Sequence, residues 1–154
     1  VLEYSLGLII EEIGNLDDAR TAYARALQED LGFHPAHVRL GELALAAGDT
    51  ATALSEMALA AEISAADPGV RLRYGRVLAG LRDHERAAAQ FRAALEAEPL
   101  FAQPHFDLAL SLEELGLLDQ AADEYAAFVS KAARDDRALP GARARLEALG
   151  RAQP

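Results

Sequence analysis

The sequence predicts an all-α chain built from helix–turn–helix repeats, and three observations carry that expectation. Key residues recur at a fixed spacing of 34 positions. Alanine, the best helix former, supplies much of an apolar share of 51%, whereas aromatic residues make up 6% and β-branched residues are sparse. Glycine, proline and aspartate also stand where helices should stop and start.

The register is unbroken along four repeats. Gly7, Gly41 and Gly75 lie one period apart, and the next step lands on Ala109. Leu6, Leu40, Tyr74 and Leu108 precede them. Ala19, Ala53, Ala87 and Ala121 form a further series, as do Tyr23, Met57, Phe91 and Tyr125. Ala26, Ala60 and Ala94 form another, broken by Phe128. A glycine within a helix costs about 1 kcal/mol against alanine, so its recurrence needs a reason. The expectation is two helices crossing closely, with the glycine series facing the Ala19 series and the Tyr23 series filling the space one turn further along.

Turn signals divide the chain into elements. Gly14-Asn15-Leu16-Asp17, Gly48-Asp49-Thr50, Arg82-Asp83-His84 and Gly116-Leu117-Leu118-Asp119 separate the two helices of each repeat. Gly32 with Pro35, Pro68-Gly69, and Pro99 with Pro104 separate successive repeats. Helices are therefore expected at about 1–13, 17–30, 35–47, 51–65, 69–81, 84–97, 102–115 and 119–133. A last amphipathic helix is expected from Pro140 to Leu149, with Ala142, Leu146 and Leu149 covering the fourth repeat. Arg143, Arg145 and Glu147 would face water, and Gly150 would stop the helix. The expected organisation is four repeats within 1–133 (about 1–33, 34–67, 68–101 and 102–135), followed by a capping helix and tail over 136–154.

A 34-residue helix–turn–helix repeat carrying Leu-Gly, Ala, an aromatic, Ala and sometimes Pro resembles the tetratricopeptide repeat. Residues 68–101 match best, with Tyr74-Gly75, Leu78, Ala87, Phe91, Ala94 and Pro99 on the pattern. The likeness covers about residues 1–133. It departs where that family often has tryptophan, since Glu3, His37, Arg71 and His105 stand there. The resemblance implies an α–α superhelix, a right-handed solenoid whose concave groove is lined mainly by the first helix of each repeat. It further implies that the groove receives a peptide or helix of another protein.

Carried over by that resemblance, the groove set is Tyr4, Leu8, Val38, Arg39, Glu42, Leu72, Arg73, Arg76, Phe106, Asp107 and Leu110. Tyr4, Val38, Leu72 and Phe106 recur at one site as an apolar stripe. Arg39, Arg73 and Arg76 have two readings. They bind an acidic or C-terminal carboxylate motif of the partner, for which guanidinium groups are suited, or they pair with Glu42 and Asp107 and solvate the groove. The chaperone-binding members of the family use a clamp of lysines, asparagines and an arginine. Tyr4, Leu8 and Glu42 occupy clamp positions here and only Arg73 fits, so that clamp is rejected.

Other features exclude function classes. A net charge of −10 argues against nucleic acid and against an anionic membrane surface, and it favours a partner carrying positive charge. No apolar run approaches the length of a membrane span. With no cysteine there is neither a disulfide framework nor a thiolate zinc site. His34 and His37 have a legal ligand spacing, but nothing completes a set, so no metal and no cofactor is expected. No phosphate loop or nucleophile motif is present, and a non-enzymatic role is expected. Glu11-Glu12 and Glu113-Glu114 read as solvated helix ends. Lys131 is the single lysine, and the arginine and alanine bias resembles proteins of GC-rich bacterial genomes. This fits a soluble chain of the bacterial cytoplasm or periplasm.

Leu2, Leu6, Leu8, Ile9, Ile10 and Ile13 make the first helix apolar on more than one face. Either further repeats precede Val1 or this edge packs on another chain, as in self-association. The sequence thus points to a protein-interaction scaffold, with a self-associating or regulatory segment of a larger enzyme or assembly protein as the alternative.

Overall fold

The computed structural model describes residues 1–151, and those residues hold nine helices and no strand. In order they are α1 (Leu2–Glu12), α2 (Leu16–Glu29), α3 (His34–Ala46), α4 (Thr50–Ile63), α5 (Pro68–Gly80), α6 (His84–Ala97), α7 (Ala102–Glu114), α8 (Leu118–Lys131) and α9 (Leu139–Arg151). None is long and apolar enough to cross a membrane. The chain forms two compact units, Val1–Ala65 and a second beginning at Ala66. The first holds the antiparallel pairs α1/α2 and α3/α4. The second holds α5/α6 and α7/α8, with α9 packed on α8.

The intra-pair turns share one construction. Gly14, Gly48 and Gly116 adopt φ of 91°, 81° and 74°, the left-handed region that glycine enters without a Cβ penalty. The next residue's amide then bonds five residues back: Asn15 N–H to the Ile10 carbonyl, Asp49 to Ala44, and Leu117 to Leu112. The third turn places Arg82 at that site, with φ 64°, and Asp83 N–H still reaches the Leu78 carbonyl at 2.9 Å. Asn15, Asp49 and Asp83 then cap α2, α4 and α6 by accepting from the amide three residues on. The fourth pair departs from the expected start signal. Leu117 is its N-cap without a side-chain bond, and Asp119 lies inside the first turn, where its charge faces the positive helix end.

The glycine series has a more direct cause than small residues facing one another. A Cβ on Gly7 would sit 2.5 Å from Cε1 of the Tyr23 ring, and one on Gly75 would collide with the Phe91 ring. The large residue itself lies on the glycine. At Gly41 the neighbours are Met57 Cγ at 3.0 Å and the Ala53 carbonyl oxygen at 3.3 Å. In the first unit Tyr23, Ala19 and Ala26 of α2 join Ala36 of α3, with Tyr4, Leu8, Ile10 and Leu40 packed around them. In the second, Leu78, Phe91, Leu108, Leu112, Tyr125 and Phe128 are fully buried.

Where the tryptophan of the repeat pattern is missing, polar side chains bridge the two helices of a pair. His37 Nδ1 donates to Glu56 at 2.6 Å, Arg71 to Gln90 at 2.9 Å, and His105 Nδ1 to Glu124 at 2.6 Å. Each bridge spans the same sequence separation, so the three are one device repeated. Leu139, Ala142, Leu146 and Leu149 of α9 are turned from solvent, but the helix runs through Gly150 to Arg151 instead of stopping there.

Candidate functional site

The first-helix face of each unit carries a recess walled by charge. In the first unit Leu8, Glu11, Glu12 and Arg39 line an open recess of about 350 Å³. Arg39 donates to Glu42 at 3.0 Å, one turn along α3, and lies 3.8 Å from Glu11. Burial acts against the charged guanidinium, but Glu42 and Glu11 outweigh it and push its pKa up. Glu11 also accepts from the Tyr23 hydroxyl at 2.5 Å. Tyr4 packs its ring on Tyr23 and edge-on to Phe33, at centroid separations of 5.5 and 5.1 Å.

In the second unit α5, α6, α7 and α9 enclose a recess of about 300 Å³, with Arg76, Asp107, Leu110, Glu113 and Arg145 among its walls and Phe91 at its floor. Arg76 Nε donates to Asp107 at 2.6 Å. Burial nevertheless pushes the Asp107 carboxyl above its ordinary range, against the pull of Arg76. Glu113 accepts from the Tyr125 hydroxyl at 2.7 Å and from Arg145 at 2.6 Å. His84 borders the same recess, and both its ring nitrogens are buried without a hydrogen-bond partner among the described residues.

These contacts sort the expected groove residues. Leu8 and Arg39 line one recess, with Glu42 held by Arg39, and Arg76, Asp107 and Leu110 meet in the other. For Arg39 and Arg76 the pairs formed, with Glu42 and Asp107, are those of the groove-solvating reading. Arg73 is exposed on α5, outside the second recess. The apolar stripe is drawn inward. Val38 and Leu72 are each 6% exposed, and Phe106 packs on Tyr125 and Phe128 at 5.9 and 5.2 Å. Large apolar side chains of this kind are stabilised by burial against their own helices.

One expectation needs correction. Glu11 and Glu113 are not solvated helix ends, because each is held by a tyrosine hydroxyl and faces an arginine on a neighbouring helix. Arg145 stays on the exposed side of α9, as expected, and donates to Glu113 at 2.6 Å from there. The signal lay in the repeat register. Where the first helix ends in glutamate, at Glu11 and Glu113, the ring one turn-crossing later carries a hydroxyl, Tyr23 or Tyr125. Where Leu45 and Ala79 replace the acid, Met57 and Phe91 replace the tyrosine. A buried hydroxyl needs an acceptor, so the two positions change together. Among the described residues no group of three or more histidines and carboxylates is arranged to hold a metal ion.

No curated protein matches the chain at a significant level. The sequence profile of the tetratricopeptide repeat matches residues 4–70 and 72–138. Among solved structures, MamA superposes with a TM-score of 0.82 at 16% identity, covering 94% of this chain and 82% of that one. YrrB, a TPR protein with an unusual peptide-binding site, superposes at 0.78 and 18% identity, covering 96% and 74%. A variant of the O-GlcNAc transferase from Thermobaculum terrenum superposes at 0.73 and 20% identity, covering 84% of this chain but 25% of that one. At such identities these likenesses concern the fold, the all-α repeat architecture seen here. With its sequence profile matched along most of its length, the chain belongs to the tetratricopeptide repeat family.

Proposed function

We propose that the chain is a non-catalytic protein-interaction module that holds a peptide or helix of a partner protein on its first-helix faces. The observation that carries this is the repeated recess, one per unit, with a leucine (Leu8 or Leu110) beside a guanidinium–carboxylate pair. An apolar contact flanked by directional charges is the usual make-up of a peptide subsite. YrrB, a fold neighbour, has a peptide-binding site, which supports the same use here. Arg39 and Arg76 are already engaged, so an acidic motif would compete with Glu42 and Asp107 for them. A second reading, a regulatory segment of a larger enzyme, is favoured by the alignment with a quarter of the O-GlcNAc transferase chain.

Selection of displayed peptides against the folded protein tests the first reading. Enriched peptides should lose binding to Leu8→Glu and Leu110→Glu variants and keep it for Arg92→Glu on α6. Peptides that bind all three variants equally would place the interaction elsewhere.

A further inference from the structure

We infer that the partner segment is basic. Resting on the peptide-binding reading, its lysine or arginine side chain seats in the second unit, between the C-terminal ends of α5 and α7.

The arginines of the second recess are already matched. Arg76 and Arg145 each donate to a carboxylate at 2.6 Å, Asp107 and Glu113 respectively. An acidic side chain must displace one of these carboxylates, whereas a basic one leaves both pairs in place. A further open recess of about 540 Å³ adjoins the first, since His84 and Glu114 line both. Its carboxylates are Asp83, Glu85 and Glu114, and its one arginine is Arg82. Asp83 is held by Arg86 at 3.2 Å. Glu85 is exposed and has no ion pair among the described residues. Glu114 meets Arg82 at 3.3 Å in a pair that is mostly exposed, 79% and 51% for the two side chains. Such a pair is worth little and exchanges easily for another cation. The surplus charge of the joined recesses is therefore negative.

The backbone adds to it. Ala79 and Leu81 come from the end of α5, and Glu114 and Leu115 from the end of α7. Helix C-terminal ends carry partial negative charge, and neither helix has a basic residue in its last turn to offset it. Ala79 and Leu110 are half-buried on the wall and offer apolar surface to a methylene stem. A lysine or arginine can lie along them while its charged head reaches Glu114 and Glu85.

The first unit repeats the arrangement. Leu8, Glu11 and Glu12 stand three 34-residue periods before Leu110, Glu113 and Glu114, and they line the first recess with Arg39. Arg39 is shared between Glu42 and Glu11. Glu12 is exposed at the end of α1 and has no ion pair among the described residues. The weakly matched acid thus falls at one position of the repeat in both units, which a merely acidic surface would not require.

Amide NMR titrations of the folded protein test the proposal with three probes: acetyl-Leu-Arg-Leu-amide and the same tripeptide with glutamine or glutamate at its centre. The arginine tripeptide should shift the amides of residues 81–85 and 110–115 and bind most tightly, the glutamate tripeptide least. Glu85→Gln with Glu114→Gln should weaken the arginine tripeptide by about threefold to tenfold and leave the glutamine tripeptide unchanged. Glu96→Gln with Glu98→Gln removes the same charge at the far end of α6 and should change neither. Raising the salt from about 0.05 M to about 0.5 M should remove most of the preference. Equal binding of the arginine and glutamine tripeptides in the recess overturns the basic partner and leaves the peptide-binding reading standing. A tighter glutamate tripeptide overturns it in favour of an acidic motif at Arg76 and Arg145. Equal weakening by the two double variants also overturns it, because overall charge alone would then act. Recess amides that none of the tripeptides moves would overturn both readings.

Discussion

Gly75→Ala is the sharpest test of why the repeats carry glycine. The added Cβ would collide with the Phe91 ring, approaching Cδ1 at 2.7 Å and Cζ at 2.9 Å, where ordinary contact begins near 3.4 Å. Phe91 is fully buried, so the ring can yield only by displacing its own neighbours. Overpacking of this kind costs about 1–3 kcal/mol. Alanine returns up to ~1 kcal/mol through its better helix propensity. The fourth repeat accepts a fully buried Ala109 at the equivalent site, so the clash is a matter of ring placement and the net loss should fall near 1–2 kcal/mol. Gly41→Ala should be close to neutral, because its nearest neighbour is the flexible Met57 at 3.0 Å. Urea unfolding followed by circular dichroism reads the effect, as a midpoint lowered by about 0.5–1 M for Gly75→Ala at unchanged slope. Adding Phe91→Leu should recover part of the loss, a coupling that a double-mutant cycle isolates. A Gly75→Ala protein as stable as the parent, or no coupling to Phe91, would refute the ring-on-glycine account.

Three further predictions follow from other sites. Arg82 holds the left-handed turn position that glycine holds in the other three pairs, at about 1–2 kcal/mol for a side-chain-bearing residue. Its ion pair with Glu114 is largely exposed and worth little. Arg82→Gly should therefore raise the melting temperature by about 1–3 °C, and a lower value would show that the pair or chain entropy dominates. Burial raises the Asp107 carboxyl despite Arg76, so its ionisation opposes folding at neutral pH. Asp107→Asn should be at least as stable as the parent at pH ~7, and its advantage should shrink as acid protonates the native carboxyl; a clear loss at neutral pH would mean that pairing with Arg76 outweighs burial. Burial first, then Glu11 and Glu113, push the Tyr23 and Tyr125 phenols well above the ordinary tyrosine range. Their contribution is complete below the unfolded value of about 10 and is lost as pH rises beyond it. The double Tyr23→Phe, Tyr125→Phe protein should show a flatter fall of stability in alkali, measured by chemical denaturation at stepped pH; an unchanged slope would exclude the phenols.

The helix map was legible because its causes are local. Capping side chains, left-handed glycines and the 34-residue register act within a few residues or repeat regularly, and the helices lie within two residues of their expected bounds. Parts of the site were legible for the same reason. Arg39–Glu42 is one helical turn, and the joint change of Glu11 with Tyr23, against Leu45 with Met57, was open to inspection in the register. The Glu113–Arg145 pair was not, since Arg145 stands on α9, outside the repeat pattern.

The sequence by itself determined the family, the helices and the glycine, alanine and aromatic series at the centre of each core, because backbone geometry and periodic burial are written in short-range and repeating patterns. Only the tertiary structure decided which charges meet and that Val38 and Leu72 turn inward. Long ionic side chains reach several partners, and tenths of an ångström between helices choose among them. Burial, likewise, is a property of what packs against a face and not of the face alone.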